Sequence, residues 1–246
     1  MSESFYSAGF RLIGTQPETA ARFIITCEHA SNAVSRHSTT PSDQRLLQMH
    51  WGYDLGAAAL TQSLCDAFDS IGVLGTESRL VIDVNRHPNS DTLIVSHCDA
   101  IPVSFNQNIS PEDRAWRMAL YASFHSGVSR AVASQKKINP DIKLISIHSF
   151  TPVWAGVERP MEVGILFDHD ENKAKDLAAI LEKNGIKTAL NAPYSGLTGE
   201  LMYSANHHGQ NNAIPYIEFE VRQDILQSPE SYARVLSALV DALNAF

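Results

Sequence analysis

The sequence lacks most of what would anchor a chain or tie it to a large partner. No apolar run approaches the roughly 20 residues of a membrane-spanning helix. Cysteine is scarce: Cys27, Cys65 and Cys98 form no Cys-x-x-Cys pair. So odd and sparse a set reads as reduced thiols in a cytoplasmic protein. Residues 1–14 show no basic segment followed by an apolar core, the mark of a secretory leader. Basic residues are in deficit, 19 against 27 acidic ones, for a net charge of −8. That excludes a general nucleic-acid binder, which needs a cationic surface to displace counterions, but leaves room for a local basic pocket. Repeats, low-complexity tracts and long linkers are missing too, so residues 1–246 read as one domain. Nothing in the sequence speaks to oligomeric state.

What is present is an ordinary globular balance, 44% hydrophobic and 19% charged. A chain of this length buries roughly three quarters of the surface it exposes when unfolded, so it needs neither disulfide nor metal merely to fold. Ten histidines are somewhat many for 246 residues and direct attention to metal or acid/base chemistry.

Short apolar runs alternate with helical patterns. Strands are expected over residues 23–27, 80–84, 143–147, 161–167, 187–190 and 214–221. Helices are expected over 54–68, with Leu60, Leu64 and Phe68 on one face, and over 171–184, ending at Gly185. Ser110-Pro111-Glu112-Asp113 has the N-cap, first-turn proline and acidic start of a helix running to about Lys137. Ser228-Pro229-Glu230 repeats that start for a last helix to Phe246. The alternation predicts an α/β fold, a mixed and mostly parallel sheet with helices on both faces. Ligands of such sheets bind outside the carboxyl ends of the strands.

Those ends carry reactive groups. The first reads Thr26-Cys27-Glu28-His29, the second Asp83-Val84-Asn85-Arg86-His87-Pro88, and a third Ser146-Ile147-His148-Ser149-Phe150. In the last, Ile217, Phe219 and Val221 share one face, and Glu218, Glu220 and Arg222 share the other. Histidines and carboxylates meeting at strand ends are the makings of a metal-hydrolase site. His207-His208-Gly209 reads as a further loop of such a site.

The chain resembles the N-formylglutamate amidohydrolase family and, more distantly, the zinc carboxypeptidases. The first resemblance runs from about residue 23 to 225 and rests on Cys-Glu-His-Ala-Ser-Asn at 27–32, His-Trp-Gly-Tyr-Asp-Leu-Gly at 50–56 and Val-Ile-Asp-Val-Asn-Arg-His-Pro at 81–88. Ile-His-Ser-Phe at 147–150 and Glu-Phe-Glu-Val-Arg-Gln-Asp at 218–224 complete it. The carboxypeptidase resemblance implies that fold, with His29 and His148 as ligands of one divalent metal, zinc foremost. It implies Glu220 as general base, and Asn85 and Arg86 as holders of a substrate carboxylate. Asn32 stands where that family has a glutamate ligand, so the third ligand must come from elsewhere: Asp54 is preferred, with Glu28 and His50 as competitors.

The implied activity is metal-dependent hydrolysis of the amide bond of an N-acyl amino acid, N-formylglutamate being the leading candidate. Such a substrate is a small acid with two carboxylates; Arg159 is a candidate for the second, and His207 for a further contact. A carboxypeptidase or other deacylase is the alternative among enzymes. A metal-free binder of small acids is the alternative outside them, kept open by Asn32.

Overall fold

The computed structural model describes residues 6–16 and 18–246. The chain starts with the antiparallel pair β1 (Tyr6–Ser7) and β2 (Phe10–Gly14). β3 (Phe23–Cys27) lies where the apolar run predicted it, every residue buried. α1 (Pro41–Leu47) opens on a capping box: the Thr40 hydroxyl accepts from the Asp43 amide, and the Asp43 carboxylate accepts from the Thr40 amide. α2 (Ala57–Phe68) buries Leu60, Leu64 and Phe68.

β4 (Ile71–Gly75) has no strong sequence signal, because Gly72 and Gly75 dilute its apolar run. Both glycines are needed by close approach. A Cβ on Gly72 would lie 2.4 Å from Ile13, and one on Gly75 would lie 2.2 Å from the carbonyl oxygen of Glu28. The expected strand at 80–84 is instead a buried loop. Val81 turns back to bond Ser78, and the Asp83 amide bonds the Leu93 carbonyl, so the run joins no ladder, while Val81, Ile82 and Val84 pack with the sheet face that carries α3.

A small hairpin follows, β5 (His97–Cys98) and β6 (Ile101–Pro102). α3 (Pro111–Lys136) is capped by Ser110 as expected. Its Arg117 is fully buried yet saturated. The guanidinium bonds Asp113, the Asn106 side chain and the carbonyls of Val81 and Phe105, so α3 grips the loop that carries residues 80–84.

β7 (Lys143–Phe150) is the longest strand, and a second hairpin, β8 (Val153–Trp154) and β9 (Val157–Glu158), stands beyond its end. β10 (Val163–Leu166), α4 (Glu171–Lys183) and β11 (Thr188–Leu190) come next. α5 (Tyr203–Asn212) includes His207-His208-Gly209, expected as loop. The helix tolerates Gly209 because it lies against Tyr216, whose ring would sit 1.9 Å from an added Cβ. β12 (Tyr216–Arg222), α6 (Gln223–Gln227) and α7 (Pro229–Ala245) complete the chain.

The main sheet has the order β1-β2-β4-β3-β7-β12-β10-β11. The pairs β3–β4, β3–β7, β7–β12 and β10–β11 are parallel, the other three antiparallel. Phe23, Ile25, Ile145, Ile147, Ile217 and Phe219 pack one face against α2, α4 and α7. Ile24, Ile71, Val73 and Leu144 pack the other against α3, with Ala205 of α5. Among the described residues no helix is long and apolar enough to cross a membrane.

Register decides what meets at the centre. Thr26 and Glu218 both pair with Ser146, and Glu220 pairs with His148. Side chains alternate, so these polar residues and Glu28 share the face that carries α3 and α5. The polar set therefore gathers at the carboxyl ends of β3, β7 and β12.

Candidate metal centre and its cavity

His29 follows β3 directly, and its carbonyl accepts from the Asp54 amide, which brings the turn before α2 over the sheet. His148 lies near the end of β7. The two rings stand 4.9 Å apart, centroid to centroid. Nδ1 of each faces the same oxygen of Asp54, at 3.4 Å for His29 and 2.8 Å for His148. Nε2 of each faces another carboxylate: Asp83 lies 2.8 Å from His29, and Glu28 lies 3.2 Å from His148. Ligating histidines characteristically have such an outer carboxylate, which orients the ring and raises its basicity.

His29, Asp54 and His148 are all buried, and one ligand atom from each lies within 4.8 Å of the others. Two imidazoles and a carboxylate suit zinc or a similar divalent ion. Of the three candidates for the third ligand, Asp54 is the one brought between the histidines. Glu28 takes the outer side of His148, and His50 packs on Trp51 with ring centroids 4.4 Å apart.

The carboxylates are held in different states. Burial opposes the charge of Glu28, but the hydrogen bond and charge of His148, with Ser204 and Thr26, outweigh it and hold the carboxyl at about 2. Asp83 lies well below the usual range: burial is overcome by Arg79, His29 and Arg86. Burial raises Glu218 to about 7, and neither of its oxygens makes a hydrogen bond. Glu220 is likewise pushed well above the carboxylate range by burial, against the pull of His148.

The cluster opens into a cavity of about 290 Å³ lined by His29, Asp54, His148, Glu220, Asn85 and Arg86 among others. Thus the residues marked by the sequence as ligands, base and carboxylate clamp share one space. Arg86 spends one nitrogen on the Asn85 carbonyl, has another 3.9 Å from Asp83 and borders the cavity. Asn85 is more committed: its amide donates to the Leu201 carbonyl, and its oxygen accepts from the Ser204 amide. Arg159 lies behind the wall, its guanidinium over the rings of Phe150, Trp154 and Tyr194 at 5.3–5.6 Å. His207 is outside the wall as well, stacked on Tyr203 with centroids 5.5 Å apart.

Arg79 was not marked by the sequence, although it opens the same run as Asp83 and Arg86. It grips Asp83 through Nε and Nη2, at 3.1 and 2.7 Å, while Nη1 lies 3.6 Å from Asp54. Glu28 and Asp83 act behind the histidines rather than beside them. Both sat in the quoted motifs, but only the ring orientations show which nitrogen each one faces.

A family model described as N-formylglutamate amidohydrolase matches residues 21–226. Among solved structures, a gene product of Agrobacterium tumefaciens superposes with a TM-score of 0.86 at 25% identity, covering 97% of this chain and 94% of its own. An N-formylglutamate amidohydrolase from Ralstonia eutropha superposes with a TM-score of 0.75 at 15% identity, covering 96% of each chain. No curated protein matches at the same significance.

Proposed function

The chain belongs to the N-formylglutamate amidohydrolase family, and from that premise we propose that it hydrolyses the amide bond of a small N-acyl amino acid, foremost an N-formyl one, with a divalent metal. The observation that carries the proposal is the buried His29–Asp54–His148 cluster opening onto a cavity that also holds Glu220 and Arg86. Zinc is the preferred ion, since the donor set is two imidazoles and a carboxylate.

His29, Asp54 and His148 would hold a divalent ion, which when bound would supply Lewis acidity for the acyl carbonyl and for a water. The protein's own residues do the rest. Asp83 and Glu28 fix the rings of His29 and His148 through their outer nitrogens. Glu220 takes the proton of the attacking water and returns it to the leaving amine. One of its oxygens is buried without a partner, so it is free for that exchange. A carboxyl that burial raises well above the usual range holds a proton more readily, which suits a group that must donate as well as accept. Arg86 clamps the carboxylate of the amino-acid portion. Arg79 brings a fixed cation next to Asp54 and into the cavity lining, where it can offset negative charge that develops on the substrate.

The test is metal analysis followed by a substrate screen. Reconstituted protein should retain one divalent ion per chain and release free amino acid from a panel of formyl, acetyl and succinyl derivatives of Glu, Asp and Gln. A folded protein that retains no metal after reconstitution refutes the proposal.

A further inference from the structure

The cavity is divided by chemistry. Its inner part holds the histidines, carboxylates and arginines described above; its outer part is a wall of rings. Trp154 packs edge to face on His50 and Trp51, with centroids 5.7 and 5.8 Å apart, and His50 and Trp51 lie tilted on each other at 4.4 Å. Phe150 and Tyr194 extend the same wall. Burial lowers the pKa of His50 below its ordinary 6.5, with Arg79 and Arg159 adding to the effect, so it faces the cavity as a neutral ring.

Trp154 is 43% exposed. It stands on the short β8–β9 hairpin, whose turn residues Ala155 and Gly156 have φ of 49° and 79°. Such a hairpin turn is tight, and Trp154 just before it lines the cavity. A large aromatic left half-exposed beside other rings is a surface waiting for an apolar partner.

The arginines point the same way. A substrate with two carboxylates needs two uncommitted cations. Arg79 has two nitrogens on Asp83, and Arg159 is stacked behind the wall with a nitrogen on Thr151. Arg86, with one nitrogen on the Asn85 carbonyl and another 3.9 Å from Asp83, is the less committed of the two cavity-lining arginines. His97 at the rim is exposed and bonded through Nδ1 to Ser96.

We propose that the preferred substrate carries one carboxylate and a flat ring: an N-formyl aromatic amino acid, its carboxylate on Arg86 and its ring against Trp51 and Trp154. A cavity of about 290 Å³ is large enough for an amino acid with a one-carbon acyl group. The proposal rests on the amidohydrolase reading and names the side chain which that reading leaves open.

The experiment compares N-formylphenylalanine, N-formyltryptophan and N-formylglutamate as substrates of the metal-loaded protein. Their binding to the metal-free protein is followed in parallel by calorimetry. The aromatic substrates should exceed the glutamate one at least tenfold in kcat/KM, with the same ranking in affinity. Trp154→Ala, on an exposed hairpin, should shrink that ratio at least fivefold. Preference for glutamate, or a ratio that Trp154→Ala leaves alone, overturns the proposal. If nothing is hydrolysed, the amidohydrolase reading fails, and the affinity ranking alone decides the ring subsite.

Discussion

Glu28→Gln perturbs the candidate centre at one remove from the proposed ligands His29, Asp54 and His148. Glu28 Oε2 lies 3.2 Å from Nε2 of His148 and accepts from the Ser146 hydroxyl at 2.9 Å. Glutamine keeps the volume and one acceptor but removes the negative charge behind the ring. Two full charges at that distance, in an effective dielectric of about 20, attract by about 5 kcal/mol, an upper bound. A ligating imidazole carries only part of a charge, and outer partners of this kind contribute 10- to 100-fold in metal affinity, about 1.4–2.8 kcal/mol. Glu28→Gln should therefore raise the zinc Kd, measured by chelator competition, about 10- to 100-fold while circular dichroism stays native. Glu218→Gln is the control, since Glu218 lies 3.7 Å from the same nitrogen and makes no hydrogen bond. It should change Kd by less than about fivefold, below the range for an outer partner. A folded Glu28→Gln protein with unchanged Kd, or a larger effect from Glu218→Gln, refutes the assignment.

Other perturbations separate the remaining roles. Glu220→Gln should keep the metal and lose about 10²–10⁴-fold in kcat, the usual contribution of a positioned acid/base; if Glu218→Gln abolishes turnover instead, the base lies two residues earlier. Arg86→Ala should leave metal content unchanged and raise KM by an amount equivalent to roughly 2–5 kcal/mol; an unchanged KM in a folded protein would remove the clamp. The pair His125–His208, bonded at 2.9 Å away from the centre, gives a pH dependence of stability. Burial lowers their pKa values to about 4 and 3, so between 6.5 and those values the unfolded chain binds more protons than the folded one. Stability to urea should be full above 6.5 and fall as the pH drops through that window. His125 alone accounts for roughly 3 kcal/mol, and His125→Gln should flatten the slope.

The fold was legible wherever a run was long and its period clean. The capping signals of Ser110 and Ser228, and the apolar face of Leu60, Leu64 and Phe68, mark elements found within a few residues of their expected ends. Residues 80–84 misled because an apolar run reports burial, and this one is buried against the sheet face and α3 without joining a ladder. β4 escaped notice because tight packing put glycine at two of its five positions. The candidate centre was legible in its residue types, since His29, His148 and Glu220 stand at or near the carboxyl ends of apolar runs, where ligands of such sheets bind. Its outer partners were not: whether Glu28 is a ligand or a support depends on which ring nitrogen it faces. The aromatic wall was illegible for another reason, as Trp51, Trp154 and Tyr194 come from segments far apart in sequence.

The grip of Arg117 on the loop at 80–84 has a consequence in time rather than in structure. That loop carries Arg79, Asp83 and Arg86, yet no strand ladder holds it. Bonds from one guanidinium to Val81, Phe105 and Asn106 take the ladder's place. Opening the loop means unseating a buried cation from all of them together, so the loop moves as a unit or not at all. Its amide protons should exchange slowly and in concert, at a rate set by α3 more than by its own residues. An Arg117→Leu protein would keep each side chain of the centre and lose the synchrony with which they are presented.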